Sequence, residues 1–346
     1  MPEPPVTEPR RLLVLAPNWL GDAVMALPAI ADLRRAFPAA HLVVAARASV
    51  AAVFDLVPGV NEVITLQHSF RADVARLKGA ACDTALLLPN SFASAWLVWR
   101  ARVKQRWGYA RDLRSWLLTR AVTAPAGSRH HAAYYQHLVR ELGIQNGPLD
   151  AVVDPRPSDV ADARRLLTGR GWDGTSRLVA VAPGAAYGTA KQWLPEHFVT
   201  LVRTLVESDG ATAVLVGGGG DAVTTAFVRE SLPEPLRARV LDLAGATSLH
   251  ALAGVLSLAS ACVSNDSGAM HLAAALGVPV AAIFGATNEL ETSPLTRGRR
   301  SLRLLVHPVE CRPCMLRECP IDHRCMSRLQ PSEVHGAVRE LVEARR

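Results

Sequence analysis

Short apolar runs recur along the chain, each followed by a stretch of helical periodicity. RLLVLAP (11–17) precedes a helix expected from about Asp22 to Phe37. HLVVAA (41–46), EVITL (62–66) and DTALLLP (83–89) follow, with amphipathic segments between them. Runs this short and this uniformly apolar suit strands buried on both faces, and their alternation with helices implies a parallel sheet. Around 154–176 the texture changes to DPRPSD, one helical turn pattern and GRGWDGTSR, which reads as a domain connection. The pattern then restarts with LVAVAP (178–183), ATAVLVGG (211–218), ACVSND (261–266) and PVAAIFG (279–285). The expectation is an α/β protein of two doubly wound domains, 1–155 and 156–330, with a cleft between them at the carboxyl ends of the strands. Residues 1–10 are expected to be a disordered tail, and a last helix, 331–346, to pack back on the first domain.

Length supports the division, since 346 residues exceed one typical core. A composition of 49% hydrophobic and 20% charged residues is that of an ordinary globular protein. MPEPPVTEPRR lacks the apolar core of a signal peptide. The most apolar stretch, Ala269–Ala286, contains His271, Gly277 and Pro279, and reads as a buried helix, a turn and a strand rather than a membrane span. A cytoplasmic protein is expected. The net charge of +7 points to an anionic partner, whether nucleic acid, membrane surface or phosphorylated substrate, although arginine bias can also follow genome composition.

Four loops at strand ends hold the candidate chemistry. In PNWLGDA (17–23), Asp22 reads either as a helix N-cap or as a carboxylate able to act as a general base. In APGAAYGTAK (182–191), Gly184, Ala185 and Gly188 let backbone approach a ligand, beside Tyr187. Lys191 is one of only three lysines, with Lys78 and Lys104, and offers a compact charge for a phosphate; the alternative is a solvated loop lysine. Trp193 reads as a packing anchor. VGGGGDA (216–222) matches G-x-G-x-x-A through Gly217, Gly219 and Ala222, a weak match outside the first βα unit; Gly217 and Gly218 are candidate nucleotide contacts. In SNDSGAMHLAAALGVPV (264–280), Asp266 or Ser267 is expected to cap a helix opening at Gly268, with His271 one turn in; such a terminus is a ready anion site.

The segments LVLAPNWLGDAVMALPAI, APGAAYGTAKQW, LAGATSL, SNDSGAMHLAAALGVPVAAIFGATN and CRPCMLRECPIDHRCM, in this order, resemble glycosyltransferase family 9, the ADP-heptose:lipopolysaccharide heptosyltransferases; the last two point to the heptosyltransferase II branch. The resemblance spans about residues 11–335. It implies a GT-B fold of two facing Rossmann-like domains, no required cofactor or metal, and inverting transfer of L-glycero-D-manno-heptose from ADP-heptose onto the first heptose of the lipopolysaccharide inner core (heptosyl-Kdo2-lipid A). Asp22 would be the base and Lys191 the diphosphate contact, with Asp266, Ser267, Gly268 and His271 lining the donor site. The protein would sit at the cytoplasmic face of the inner membrane as a peripheral protein. GGGGD stands where relatives often carry GSAKD, which puts ribose contact by Asp221 in doubt, and KQWLP is one residue longer than the expected K-x-W-P.

Residues 90–118 interleave Trp96, Trp99, Trp107 and Trp116 with Arg100, Arg102, Lys104, Arg106, Arg111 and Arg114. Arginine forks match the phosphates and carboxylates of such an acceptor. Arg100, Arg106 and Arg111, with Asn18, Asn90 and Ser91, are the candidate acceptor contacts; the alternative is an amphipathic helix with a solvated basic face. No nucleic-acid motif accompanies the stretch. Cys311, Cys314, Cys319 and Cys325 follow C-x2-C-x4-C-x5-C near His307 and His323. Reduced thiols in a tight loop are preferred over a structural zinc or iron–sulfur site and over a disulfide formed on isolation. Other readings that stay open are heptosyltransferase I or another family 9 transferase, a nicotinamide-dependent oxidoreductase resting on GGGGDA, and a binding module for anionic surfaces resting on charge.

Overall fold

The computed structural model describes residues 8–296 and 301–344. Most of the expected N-terminal tail, residues 1–7, lies outside the described residues, as do Arg345 and Arg346. The chain divides into two compact units, Met1–Val153 and Asp154–Arg346.

In the first unit the strands are β1 (Arg11–Leu15), β2 (His41–Arg47), β3 (Glu62–Leu66), β4 (Thr84–Leu87), β5 (Gln105–Tyr109) and β6 (Arg120–Val122). They form one six-stranded sheet in the order β3-β2-β1-β4-β5-β6, and every pairing is parallel. In the second unit β7 (Leu178–Ala182), β8 (Thr212–Leu215), β9 (Val240–Asp242), β10 (Ala261–Asn265), β11 (Val280–Phe284) and β12 (Leu302–Val306) form the order β12-β11-β10-β7-β8-β9, again all parallel. Counted from the first strand of each unit, the two orders are the same doubly wound topology. The central strands are apolar along their whole length because helices cover both faces; β7, β10 and β11 are buried at every position.

Strand order reverses between β1 and β4 in the first unit and between β7 and β10 in the second. These are the switch points, where the chain leaves neighbouring strands in opposite directions and opens a crevice at their carboxyl ends. Asp22 and Asn90 follow β1 and β4; the loop carrying Gly184–Lys191 and the segment Asp266–Gly268 follow β7 and β10.

Several expected boundaries move. The single helix expected from Asp22 to Phe37 is two, Leu20–Met25 and Leu27–Ala36, the second with Pro28 in its first turn. The helical pattern of the expected connection is Pro157–Gly169, which packs against Leu249–Leu258. Gly254 makes this approach possible, since a Cβ there would overlap the Asp159 carbonyl oxygen. The final helix Pro331–Glu343 groups with the second unit. Its apolar face, Val334, Val338, Leu341 and Val342, shares one core with Val181, Phe198 and Ile283. Residues 90–118 are not one helix either: Phe92–Arg100 is helical, and Trp107 points into the core from β5. No helix among the described residues is long and apolar enough to cross a membrane.

Candidate active site

Asp22 is the third residue of the helix Leu20–Met25, whose N-cap is Trp19, so the capping alternative does not hold. Its Oδ1 lies 3.1 Å from Nδ1 of His131, at the start of the helix His131–Glu141. With the proton on Nδ1, the imidazole donates to the carboxylate and fixes its direction. The Asp22 side chain keeps 28% of its surface accessible, enough for a substrate hydroxyl to reach it. A second link ties the next helix, Leu27–Ala36, to His131–Glu141. Asp32, fully buried, accepts from Gln136 Nε2 at 2.9 Å and from the Gly147 N–H at 3.0 Å, and pairs with Arg35. Burial raises the Asp32 pKa despite these donors. Next along the same helix, the Tyr135 hydroxyl is pushed well above its usual range, first by burial and then by the charge of Asp22.

The polar groups after β4 are largely engaged within the unit. Asn90 Nδ2 donates to the Tyr134 hydroxyl at 2.9 Å, and Ser91 caps Phe92–Arg100 by accepting from the Ser94 N–H. Arg114 is fully buried and bonds the Pro89, Ser91 and Tyr109 carbonyls and Ser94 Oγ; burial draws its pKa down to about 10. It staples the β4 loop and does not face solvent. Arg106 is likewise committed, donating to the carbonyls of Leu117, Val103 and Lys104. Arg100 ends a helix that runs back from β4, and Arg106 opens β5, so both lie at the amino edge of the sheet, opposite Asp22. Both were expected to be acceptor contacts, and the sheet places them at the edge away from Asp22. Asn18 and Arg111, by contrast, are exposed and follow the carboxyl ends of β1 and β5.

In the second unit Lys191 Nζ donates to Asp266 Oδ2 at 2.7 Å, and both side chains are largely buried, at 14% and 5% exposure. Thr287 Oγ1 donates to the same oxygen at 2.7 Å. Asp266 therefore turns toward the lysine and does not cap the helix Gly268–Ala275; nor does the Ser267 hydroxyl, which sits 3.0 Å from Ser264 Oγ. The N-cap residue, Ser267, makes no side-chain bond to the first N–H groups of that helix. His271 is buried within it. Asn265 ties the two switch-point loops together, accepting from the Trp193 N–H at 3.0 Å and donating to the Pro183 carbonyl at 2.6 Å. Trp193 is the expected anchor, buried with its indole N–H on the Leu329 carbonyl. The glycine loop closes on itself: Asp221 accepts from the Gly218 N–H at 2.8 Å, and its carboxylate fills the space beside Gly184 and Gly217. A carboxylate in that place opposes a pyrophosphate cradle.

All six cysteines are free: Cys311 is exposed, Cys314 and Cys319 are half-buried, and Cys82, Cys262 and Cys325 are buried. Among the described residues no three His, Cys, Asp or Glu side chains are grouped to hold a metal. What the cysteine segment does do is fold onto the Lys191 loop. Ala190 N–H donates to the Arg317 carbonyl at 2.9 Å, Tyr187 OH to the Met315 carbonyl at 3.0 Å, and His323 Nε2 lies 3.1 Å from the Ala190 carbonyl. Arg312 anchors the segment on Glu289 and on the Gly285 and Thr287 carbonyls.

Comparison with known proteins names the scaffold. The profile of glycosyltransferase family 9 (heptosyltransferase) matches residues 71–324. The chain belongs to glycosyltransferase family 9. It is 29% identical over 311 residues to lipopolysaccharide heptosyltransferase 2 of Salmonella typhimurium, covering 85% of this chain and 88% of that one. Lipopolysaccharide heptosyltransferase 2 of Escherichia coli K12 is 29% identical over 312 residues, with the same coverage. Among solved structures, E. coli ADP-heptose lps heptosyltransferase II superimposes with a TM-score of 0.84 at 24% identity, covering 97% of this chain and 99% of that one. E. coli heptosyltransferase WaaC with ADP gives 0.73 at 20%, covering 96% and 99%. The fold of this family 9 glycosyltransferase is therefore the GT-B type of those enzymes, and the oxidoreductase and binding-module readings fall away.

Proposed function

We propose that this family 9 enzyme transfers L-glycero-D-manno-heptose from ADP-heptose onto the first heptose of the lipopolysaccharide inner core, with inversion at the anomeric carbon. The observation that carries the reading is the 29% identity over 311 residues to lipopolysaccharide heptosyltransferase 2, which covers 85% of this chain. The first unit holds the acceptor and the second the nucleotide sugar. Asp22, directed by His131, takes the proton of the acceptor hydroxyl as its oxygen bonds the anomeric carbon. The bond from that carbon to the diphosphate oxygen breaks, and ADP leaves with the electron pair. Lys191 and the N–H groups at Gly268 stabilise the charge on the leaving ADP, and Gly188 and Tyr187 shape the loop around it. Ser267, His271, Gly184, Gly217 and Gly218 frame that side of the site, and Asn18 and Arg111 meet the acceptor.

The acceptor is lipid-linked, so peripheral contact with the cytoplasmic face of the inner membrane belongs to the same proposal. Exposed Leu113 and Trp116, the latter packed on Phe92 and near Arg111 in the chain, suit an anionic lipid surface. The test is incubation with ADP-heptose and either heptosyl-Kdo2-lipid A or Kdo2-lipid A. A mass gain of one heptose on the first substrate supports the reading, and a gain on the second alone assigns the enzyme to heptosyltransferase I chemistry.

A further inference from the structure

Lys191 does not meet a donor as an unbalanced charge. Its ammonium is held at 2.7 Å by Asp266 in a largely buried pair, and the two charges cancel at a distance. A nucleoside diphosphate sugar brings two phosphate charges. The amino terminus of one helix offers roughly half a positive charge against them. The site needs a further cation, and the cysteine segment carries one. We propose that Arg317 is a donor-binding residue whose guanidinium takes the diphosphate alongside Lys191; this rests on the reading of residues 183–191 as the donor loop.

The placement of Arg317 is fixed by its backbone. Its carbonyl accepts from the Ala190 N–H at 2.9 Å, and it lies so close to Gly188 that a Cβ there would overlap it. Neighbouring contacts of Tyr187 and His323 pin the same stretch on both sides. From this anchor the guanidinium carbon comes to 5.3 Å from the Tyr187 ring centroid, and Lys191 Nζ lies 4.9 Å from the same centroid. The ring thus brings the Arg317 guanidinium beside the Lys191–Asp266 pair, on the side where a diphosphate would meet Lys191. Among the described residues no carboxylate pairs with Arg317, whereas Arg312, five residues earlier, is spent on Glu289. Arg317 is exposed and available. Its planar fork can bond two phosphate oxygens at once, which a lysine cannot.

Calorimetric titration with ADP and with AMP, on wild type, Arg317→Ala and Arg317→Lys, tests the assignment. Loss of a charge-assisted contact should weaken ADP binding on the order of 10- to 100-fold in Arg317→Ala. AMP affinity should stay within about twofold, since AMP lacks the second phosphate, and lysine should restore part of the loss. Wild-type ADP affinity in Arg317→Ala overturns the proposal. So does an equal loss of ADP and AMP, which would mark a merely structural role. Failure of the wild-type protein itself to bind ADP would instead bring down the donor-loop reading, and the proposal with it.

Discussion

Nδ1 of His131 sits 3.1 Å from Oδ1 of Asp22, joining a helix at the end of β1 to one that starts 109 residues later. The contact gives the candidate base a direction, and the buried Asp32–Gln136 bond holds the following helix, Leu27–Ala36, against the helix of His131. His131→Ala should therefore lower kcat by up to about 10² through misplacement of the carboxylate, with little change in ADP affinity. His131→Asn, which can still donate to Asp22, should recover part of the rate. Steady-state kinetics of the two variants check this; equal rates for alanine and wild type would make the contact incidental.

Lys191 and Asp266 are coupled in stability as well as in binding. Lys191→Ala strands a buried carboxylate and should cost about 3–5 kcal/mol of stability, together with donor affinity. Lys191→Ala combined with Asp266→Asn removes the stranded charge while keeping an acceptor for Thr287. Chemical denaturation should show stability largely regained in the double variant, and ADP titration should show affinity still lost. Regained affinity would mean that Lys191 acts only through the fold.

The acceptor surface is predicted at the carboxyl edge of the first sheet. Arg111→Ala should raise the acceptor KM by about tenfold, from the loss of a charge-assisted contact. Arg100→Ala, Arg102→Ala and Lys104→Ala combined should leave it within about twofold, because these residues crowd the amino edge. The reverse ranking in acceptor titrations would place the acceptor elsewhere.

Acid should loosen the cysteine segment. Burial raises the pKa of Glu289, but the hydrogen bond and charge of Arg312 outweigh it and hold the carboxyl below its usual 4.5. A carboxylate depressed in the folded state stabilises it fully above the usual value, and that contribution disappears as pH falls below it. Hydrogen exchange of residues 310–320, corrected for intrinsic rate, should show protection lost below about pH 4.5 in the wild type. Glu289→Gln should show the loss at neutral pH. Full protection in that variant contradicts the anchoring role.

The central strands were legible because burial on both faces writes itself as uninterrupted apolar runs. QRWGY, now β5, escaped that rule: its polar start and internal glycine leave only Trp107 and Tyr109 to mark it, and the short edge strands β6 and β9 carry even less signal. Asp22, Lys191 and Asp266 could be singled out from their loops at strand ends. Their partners could not, since His131 and Thr287 reach them only through tertiary packing. The placement of the arginines of 90–118 was hidden for a related reason: a count of charges does not say at which edge of a sheet they fall. Likewise the cysteine spacing drew attention to metal chemistry, while the backbone of the same segment is what braces the Lys191 loop.

Asp22 is the residue on which the proposed transfer turns most directly. Transfer of heptose from ADP-heptose to heptosyl-Kdo2-lipid A, followed by mass spectrometry for wild type and Asp22→Asn with ADP binding and Tm measured in parallel, addresses it in one experiment. The wild type should add one heptose, and the variant should show a kcat lower by about 10²–10⁴ with ADP affinity and Tm essentially unchanged. Wild-type turnover in Asp22→Asn, or no heptose added by wild-type protein that binds ADP, would contradict it.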